Sequence, residues 1–372
     1  MRILHTESSI NWGGQEYRAL EQMEWLRDQG HEPFLAARPG SDIGERARAE
    51  GLTVIDIAYT GHYDPRAILA VRKAIKQHGI EIADCHGSRD VMTLAFARGL
   101  IPVIRTRHVS QSLKNKLHRR LQWRYGSDHV IASAECIRDE ILAKGLAPAD
   151  KISVVGEWAG DAFFDVSRKQ DHRRDVRKEF QVPDGLPLIC VVGMLRGDKA
   201  QEVLIETVAE LKMRGRKVVA LIVGSVTNSQ DTYDQKLKLR AEALGVTDLV
   251  SFAGYRDDIP RLTQACDAQV ITSISVEAQS RTVPQAFASR TPVVASRVGG
   301  VAELITDGET GRLVGIKDVE GYADALTGIL DDKVAASRMT NAARTFAEQN
   351  LRMDRKMAET LAIYEGLVSR RR

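Results

Sequence analysis

Short β-branched runs alternate with longer stretches of helical spacing along nearly the whole chain. RILHT (2–6) reads as a strand. Over 16–29, Tyr17, Leu20, Met23 and Leu26 recur at the spacing of one helix face. PFLAA (33–37), LTVIDI (52–57), a helix near 65–78, IEIADC (80–85), IPVIRT (101–106) and DHVIAS (128–133) continue the rhythm. A βαβα order predicts a parallel sheet with helices on both faces. The rhythm restarts after a charged stretch, SRKQDHRRDVRKEF (167–180). PLICVVGM (187–194) is almost continuously apolar, as in a strand buried on both faces. KVVALIVG (217–224), LVSFAG (249–254), AQVITS (268–273) and PVVAS (292–296) follow, and 336–368 closes the chain at helical spacing.

A length of 372 residues suits two domains. The expected division is 1–165 and 166–351. Open α/β sheets bind ligands at the carboxyl ends of their strands, so two such domains facing each other across a cleft would place the chemistry in loops just after strands. Apolar residues at 43% and charged residues at 28% are ordinary for a globular protein, and a net charge of +3 argues for no particular partner. Cys85, Cys136, Cys190 and Cys266 are far apart with no metal-ligand spacing, which predicts buried thiols in a reducing compartment. MRILHTESS lacks the apolar core of a signal peptide. No run approaches the roughly 20 apolar residues that span a bilayer. A cytoplasmic protein is expected, at most peripheral on a membrane face.

Four loops carry candidate chemistry. SINWGGQEYR (9–18) sets Gly13 and Gly14 between the first strand and the first helix, where bare backbone can approach a ligand. It is not the GxGxxG of dinucleotide folds, which disfavours an NAD-dependent oxidoreductase; a tight turn is the plain alternative. VVGMLRGDKAQEVL (191–204) places Gly193, Arg196 and Lys199 after a buried strand. A planar fork and a point charge three residues apart suit a diphosphate, and equally suit solvated surface. SISVEAQSRTVPQAFASRTPVVASRVGGVAELI (273–305) puts Glu277 in a loop before a helix starting near Thr282, with Gln285 in its first turns. There Glu277 can accept from sugar hydroxyls, and the backbone N–H groups of Arg281 and Thr282 would point at a phosphate. FAGYRDDIPRL (252–262) offers a nucleobase edge or an ordinary helix cap at Asp257 or Asp258.

In order and spacing these loops resemble the retaining GT-B glycosyltransferases of family 4, which include lipopolysaccharide-core and mannosyl-transferring enzymes. The resemblance runs from GGQE to GGVAELITDGETGRLV (299–314), and KISVVGEWAGDAFF (151–164) looks like the family's linker. It implies two Rossmann-like domains with a C-terminal helix, about 352–372, packing back on the first. GMLRGDK implies Arg196 and Lys199 on the diphosphate. GYRDDI implies Tyr255 and Arg256 at the base. TRHVS implies His108 near the donor sugar; a lone histidine after a strand otherwise reads as structural. Glu277 and Gln285 stand where the family has two glutamates with seven residues between them. The second commonly takes the ribose hydroxyls, and Gln keeps one carbonyl acceptor and loses the charge. Ala278 and Ser280 stand where glycines are usual.

The implied activity is transfer of a hexose-type sugar from a nucleotide-diphosphate donor to a surface-glycan or lipid-linked acceptor. No Asp-x-Asp metal site stands out, so no metal and no cofactor is expected, with Arg196, Lys199 and the helix start answering the charge on the leaving diphosphate. A nucleotide-sugar epimerase and a non-catalytic nucleotide-sugar-binding protein are the alternatives. Arg89 to Ser127 holds nine Lys or Arg against one acid, Asp90. Within it, Lys114, Lys116, Arg119, Arg120 and Arg124 flank a Leu113, Leu117, Leu121 stripe. An anionic membrane surface, a core-packed helix with a solvated basic face, or an acidic acceptor each fits this stretch. No nucleic-acid motif accompanies it.

Overall fold

The structure, a computed structural model, describes residues 1–371 except 62–63, 88, 109–116, 227–230 and 276, with the backbone alone over 117–119. The described residues form two compact units, Met1–Gly156 with Asp354–Arg372, and Glu157–Met353.

In the first unit β1 (Arg2–Glu7), β2 (Glu32–Ala37), β3 (Thr53–Asp56), β4 (Ile82–Cys85), β5 (Val103–Arg107), β6 (His129–Ala132) and β7 (Ile152–Val154) form one sheet ordered β3-β2-β1-β4-β5-β6-β7. Neighbours pair in parallel, with Leu4 opposite Phe34 and Ala83. Alternation divides each strand between two cores. Leu4, Phe34, Ala83 and Val103 pack on one face, and Ile3, Ile82, Ile104 and Ile131 pack on the other with Tyr364 from the helix Met353–Ser369.

The second unit carries β8 (Leu188–Val192), β9 (Val219–Val223), β10 (Val250–Gly254), β11 (Ala268–Ile271), β12 (Val293–Ser296) and β13 (Arg312–Val314), ordered β10-β9-β8-β11-β12-β13. These pairs are parallel too. In each sheet the order reverses once: the chain runs from β1 outward and returns to add β4 on its other side, and β8 and β11 repeat the pattern. Such switch points leave a crevice above the strand ends.

The division falls at Gly156, before residue 165. Ala159, Phe163 and Phe164 belong to the core of the second unit beside Phe287 and Leu304. The charged stretch is no spacer: it is the helix Lys169–Glu179, tied down by His172 at 2.8 Å from Gln264 and by Lys169 donating to the Ser289 and Arg290 carbonyls. The C-terminal helical spacing is two helices, Lys333–Asn350 and Met353–Ser369. They break at Leu351, whose carbonyl takes the Ala159 N–H. Of the apolar stripe expected over 113–121, Leu113 and the Leu117 side chain lie outside the described residues; Leu121 is 50% exposed, and Trp123 is buried, its ring under the Arg105 guanidinium at 3.4 Å. All four cysteines are free thiols.

Candidate functional site

The switch point of the second unit gathers the loops after β8 and β11. Thr272 Oγ1 donates to the Lys199 carbonyl at 2.7 Å, and the Ile274 N–H donates to the Asp198 carbonyl at 2.9 Å. The two loops are thereby pinned together. Lys199 Nζ then meets Glu277 Oε2 at 2.5 Å, with the Glu277 side chain only 7% exposed. A small recess beside them is lined by Lys199, Thr272, Ser273, Ser280 and Thr282. The helix Thr282–Ala288 starts there, and Ser280 and Thr282 share a hydroxyl contact of 2.9 Å. Arg196 forks onto Asp198 at 2.5 and 2.6 Å. That hydrogen-bonded carboxylate raises the arginine's pKa further. Burial pushes Asp198 up, but Arg196 and Lys199 outweigh it and hold it ionised. Both cations are thus preorganised by a carboxylate at the strand ends.

Glycines let the backbone close in. A Cβ on Gly299, at φ +45°, would stand 1.9 Å from the Glu277 carbonyl, and one on Gly224 would stand 1.9 Å from the Gly193 carbonyl. Gly193 itself sits at φ +153° with open space around it.

The other donor-side candidates make contacts of their own. Arg256 is locked between Asp258, at 2.7 Å to each oxygen, and Glu179 at 2.6 Å. Arg261 joins the same acids. This network explains why Asp258 makes no side-chain cap to its helix and why its pKa is pulled down to about 2, chiefly by the Arg256 hydrogen bond. Tyr255 is 49% exposed and donates to Asp257 at 2.8 Å. Arg281 lies over the Trp158 ring at 5.5 Å and 3.8 Å from Glu157. Gln285 is half-buried within the helix Thr282–Ala288.

At the switch point of the first unit a cavity of about 560 Å³ is lined by residues at or just after the ends of β1, β2, β4 and β5, among them Glu7, Gln15, Glu16, Arg38, Arg107 and His108. Gly13 and Gly14 start the helix Gly14–Asp28, and their neighbours Asn11 and Gln15 line the cavity. One wall is acidic. Glu7 takes hydrogen bonds from Gln15 Nε2 at 2.5 Å and Ser9 N at 2.8 Å, yet burial, with Asp90 and Glu16 near, pushes its pKa up to about 8. Burial also raises Glu16 and Asp90. Asp90 accepts from Thr6, Ser8 and the Gly87 N–H. Arg89, Arg105 and Arg107 also line the cavity, and burial lowers the Arg107 pKa. Arg120 and Arg124 are exposed; Lys114 and Lys116 lie outside the described residues, as does the side chain of Arg119.

Two family models match this chain, Glycosyltransferase Family 4 over residues 12–157 and Glycosyl transferases group 1 over 172–346. The chain belongs to the glycosyltransferases. Among curated relatives, a D-inositol 3-phosphate glycosyltransferase of Corynebacterium aurimucosum is 30% identical over 67% of this chain and 62% of its own length. A lipopolysaccharide core biosynthesis mannosyltransferase of Rhizobium leguminosarum is 32% identical over 50% of this chain and 53% of its own. The match thus spans about three fifths of the first relatives' length. Solved structures share the fold: a glycosyltransferase from Rickettsia africae superposes with a TM-score of 0.88 at 20% identity, covering 99% of this chain and 98% of its own. HepE of Anabaena, solved in complex with UDP, gives 0.86 at 20% identity over 99% and 100%. The two parallel-sheet domains are those of GT-B glycosyltransferases.

Within this glycosyltransferase the sequence pattern did not single out Glu7, Glu16, His86 or Gly224. Glu7 ends β1 and His86 follows β4, so position after a strand was a usable signal; burial and partners were not visible.

Proposed function

We propose that this glycosyltransferase transfers a hexose-type sugar, with retention and without a metal, from a nucleotide-diphosphate donor held by the second unit. The observation that carries the reading is the Lys199–Glu277 pair at the β8/β11 switch point, beside Arg196 and the start of the helix Thr282–Ala288. Leaving-group departure builds negative charge on the diphosphate, and preorganised donors aimed at that charge give the strongest stabilisation such a site can supply. Lys199 and Arg196 meet it. Glu277 orients the sugar hydroxyls, and the acceptor attacks from the face the diphosphate leaves. UDP-sugars are the first donors to try, since the structural neighbour HepE binds UDP and UDP-glucose. A phosphate-bearing glycan or lipid-linked acceptor is the matching second substrate. The relatives named for inositol 3-phosphate and lipopolysaccharide core favour it, and so do the arginines that line the first unit's cavity.

The test is Arg196→Ala and Lys199→Ala assayed with a panel of nucleotide sugars. Each is expected to lower turnover by about 10²-fold or more, the scale of one removed oxyanion donor, with an unchanged far-UV spectrum. Full activity in both variants sinks the reading. UDP binding with no transfer or donor hydrolysis would favour the non-catalytic alternative, to which Gln285 lends its only support. Exposed Arg120 and Arg124 make the cytoplasmic face of an anionic membrane the proposed location. Pelleting with anionic vesicles should then weaken steeply as salt is raised.

A further inference from the structure

On the helix Leu117–Tyr125 the inner face holds Gln122 and Trp123, and the outer face holds Arg120, Leu121, Arg124 and Tyr125. Leu121 is 50% exposed and Tyr125 is 59% exposed. Residues four apart share a helix face. The outer face therefore carries one apolar pair, Leu121 and Tyr125, and one cationic pair, Arg120 and Arg124. A single exposed leucine is ordinary; a group of exposed apolar side chains in a charged surround is not.

The group extends beyond this helix. Phe96 closes the helix Asp90–Ala95 and is also 50% exposed. Two residues on, Arg98 donates to the Tyr125 carbonyl at 2.9 Å and meets Asp128 at 2.6 Å. That clasp joins the ends of the two helices and sets Phe96 and Tyr125 at one corner of the first unit. Arg72 donates to the Phe96 carbonyl and Arg371 to the Arg98 carbonyl, each at 2.6 Å. A carbonyl is neutral, so it leaves the arginine's charge uncancelled. Among the described residues Arg72, Arg120, Arg124 and Arg371 enter no ion pair, and the carboxylate tied into this corner, Asp128, is taken by Arg98. Three apolar side chains thus stand among four unpaired cations.

We propose that this corner docks on an anionic bilayer, with Leu121, Tyr125 and Phe96 as anchors in the interfacial layer and Arg72, Arg120, Arg124 and Arg371 on lipid phosphates. The inference rests on the membrane location proposed above and names the surface that makes the contact. Charge selects the occupant. Apolar anchors ringed by unpaired arginines match anionic headgroups lying over hydrocarbon. Tyrosine suits that depth, because its ring is apolar and its hydroxyl stays wet. Arginine stems lie along apolar surface while their heads reach the phosphates. A second copy of this chain fits worse: a two-fold contact through this corner would set the same arginines against one another.

The test mixes the full chain carrying Tyr125→Trp, at low salt, with vesicles of phosphatidylglycerol and phosphatidylcholine whose acyl chains are brominated. The expected result is quenching of the added indole beyond that of the native tryptophans in the wild type, and none with phosphatidylcholine alone. Leu121→Glu should weaken partitioning about tenfold or more, since it removes an apolar anchor and adds repulsion. Leu239→Glu, at a leucine 63% exposed on the second unit, should leave partitioning unchanged. Both leucines are exposed, so both variants should melt as the wild type does. Vesicle binding with the indole unquenched sinks this surface and leaves the membrane location standing. So does a Leu121→Glu variant that binds as the wild type, or an equal loss in Leu239→Glu. No binding at low salt sinks both readings. A dimer in sedimentation that Leu121→Glu dissolves, with no vesicle binding, gives the face to a second copy and overturns the proposal.

Discussion

Glu7, at the end of β1, has its pKa raised to about 8, first by burial and then by Asp90 and Glu16. In the unfolded chain it would ionise near 4.5. A raised folded pKa means that the folded state binds the extra proton. The stability linked to this group is therefore full below about 4.5 and is lost as pH rises toward about 8. Glu7→Gln keeps a carbonyl for the Gln15 and Ser9 donors and removes the titration. Thermal melts should show the variant gaining on the wild type as pH rises through this window; parallel melting curves across it would contradict the assignment. Lys199 and Glu277 show pairing instead of burial at work. Their pairing at 2.5 Å joins residues 78 positions apart, and the sequence suggested each separately.

Among the strands, helices and loops, the site at the ends of β8 and β11 is a matter of backbone approach. The loop after β11 carries Glu277, and the turn after β12 carries Gly299, whose φ of +45° leaves no room for a Cβ beside the Glu277 carbonyl. Gly300 N donates to that same carbonyl at 3.2 Å. Gly299→Ala should push the Glu277 loop aside. The expected cost is roughly 1–3 kcal/mol by denaturant unfolding, the scale of one strained backbone position. A loss of nucleotide affinity in calorimetry should accompany it. Unchanged affinity would show that the loop's position does not matter to the ligand. The helix Thr282–Ala288 was legible as a start signal near Thr282, because a Pro at its third position and a polar run before it suit a first turn. The Arg256 network was legible only in part: Asp258 and Arg261 lie in the same short segment, but Glu179 comes from the helix Lys169–Glu179, 77 positions away.

Across the chain, the telling connection is local to the first unit yet distant in sequence. Tyr364 reaches Asp84 at 2.5 Å and accepts from Gln22 at 2.6 Å, and Trp25 donates to Asp354 at 2.7 Å. Burial drives the Tyr364 phenol far above its usual range, which keeps it a donor. Tyr364→Phe leaves a buried carboxylate one partner short and should cost about 1–3 kcal/mol. Removal of 354–372 should unfold the first unit, seen as a lost transition in the melting curve, while the second unit keeps its own. A single unchanged transition after truncation would refute this. The two parallel sheets follow from the sequence alone, because buried strands must read as continuous apolar runs and helices must repeat at their own period. So does the position of Arg196, Lys199, Glu277 and His108 after strands, since side-chain type and local rhythm are properties of neighbouring residues. Which of them meet was left to the tertiary structure. Strand order brings β8 beside β11 and sets β1, β4 and β5 side by side, and that order comes from packing between segments far apart in the chain. The same packing desolvates Glu7, buries Trp123 while leaving Leu121 outside, and commits Arg256 to an ion network, because burial and partnership arise only when distant residues share one volume.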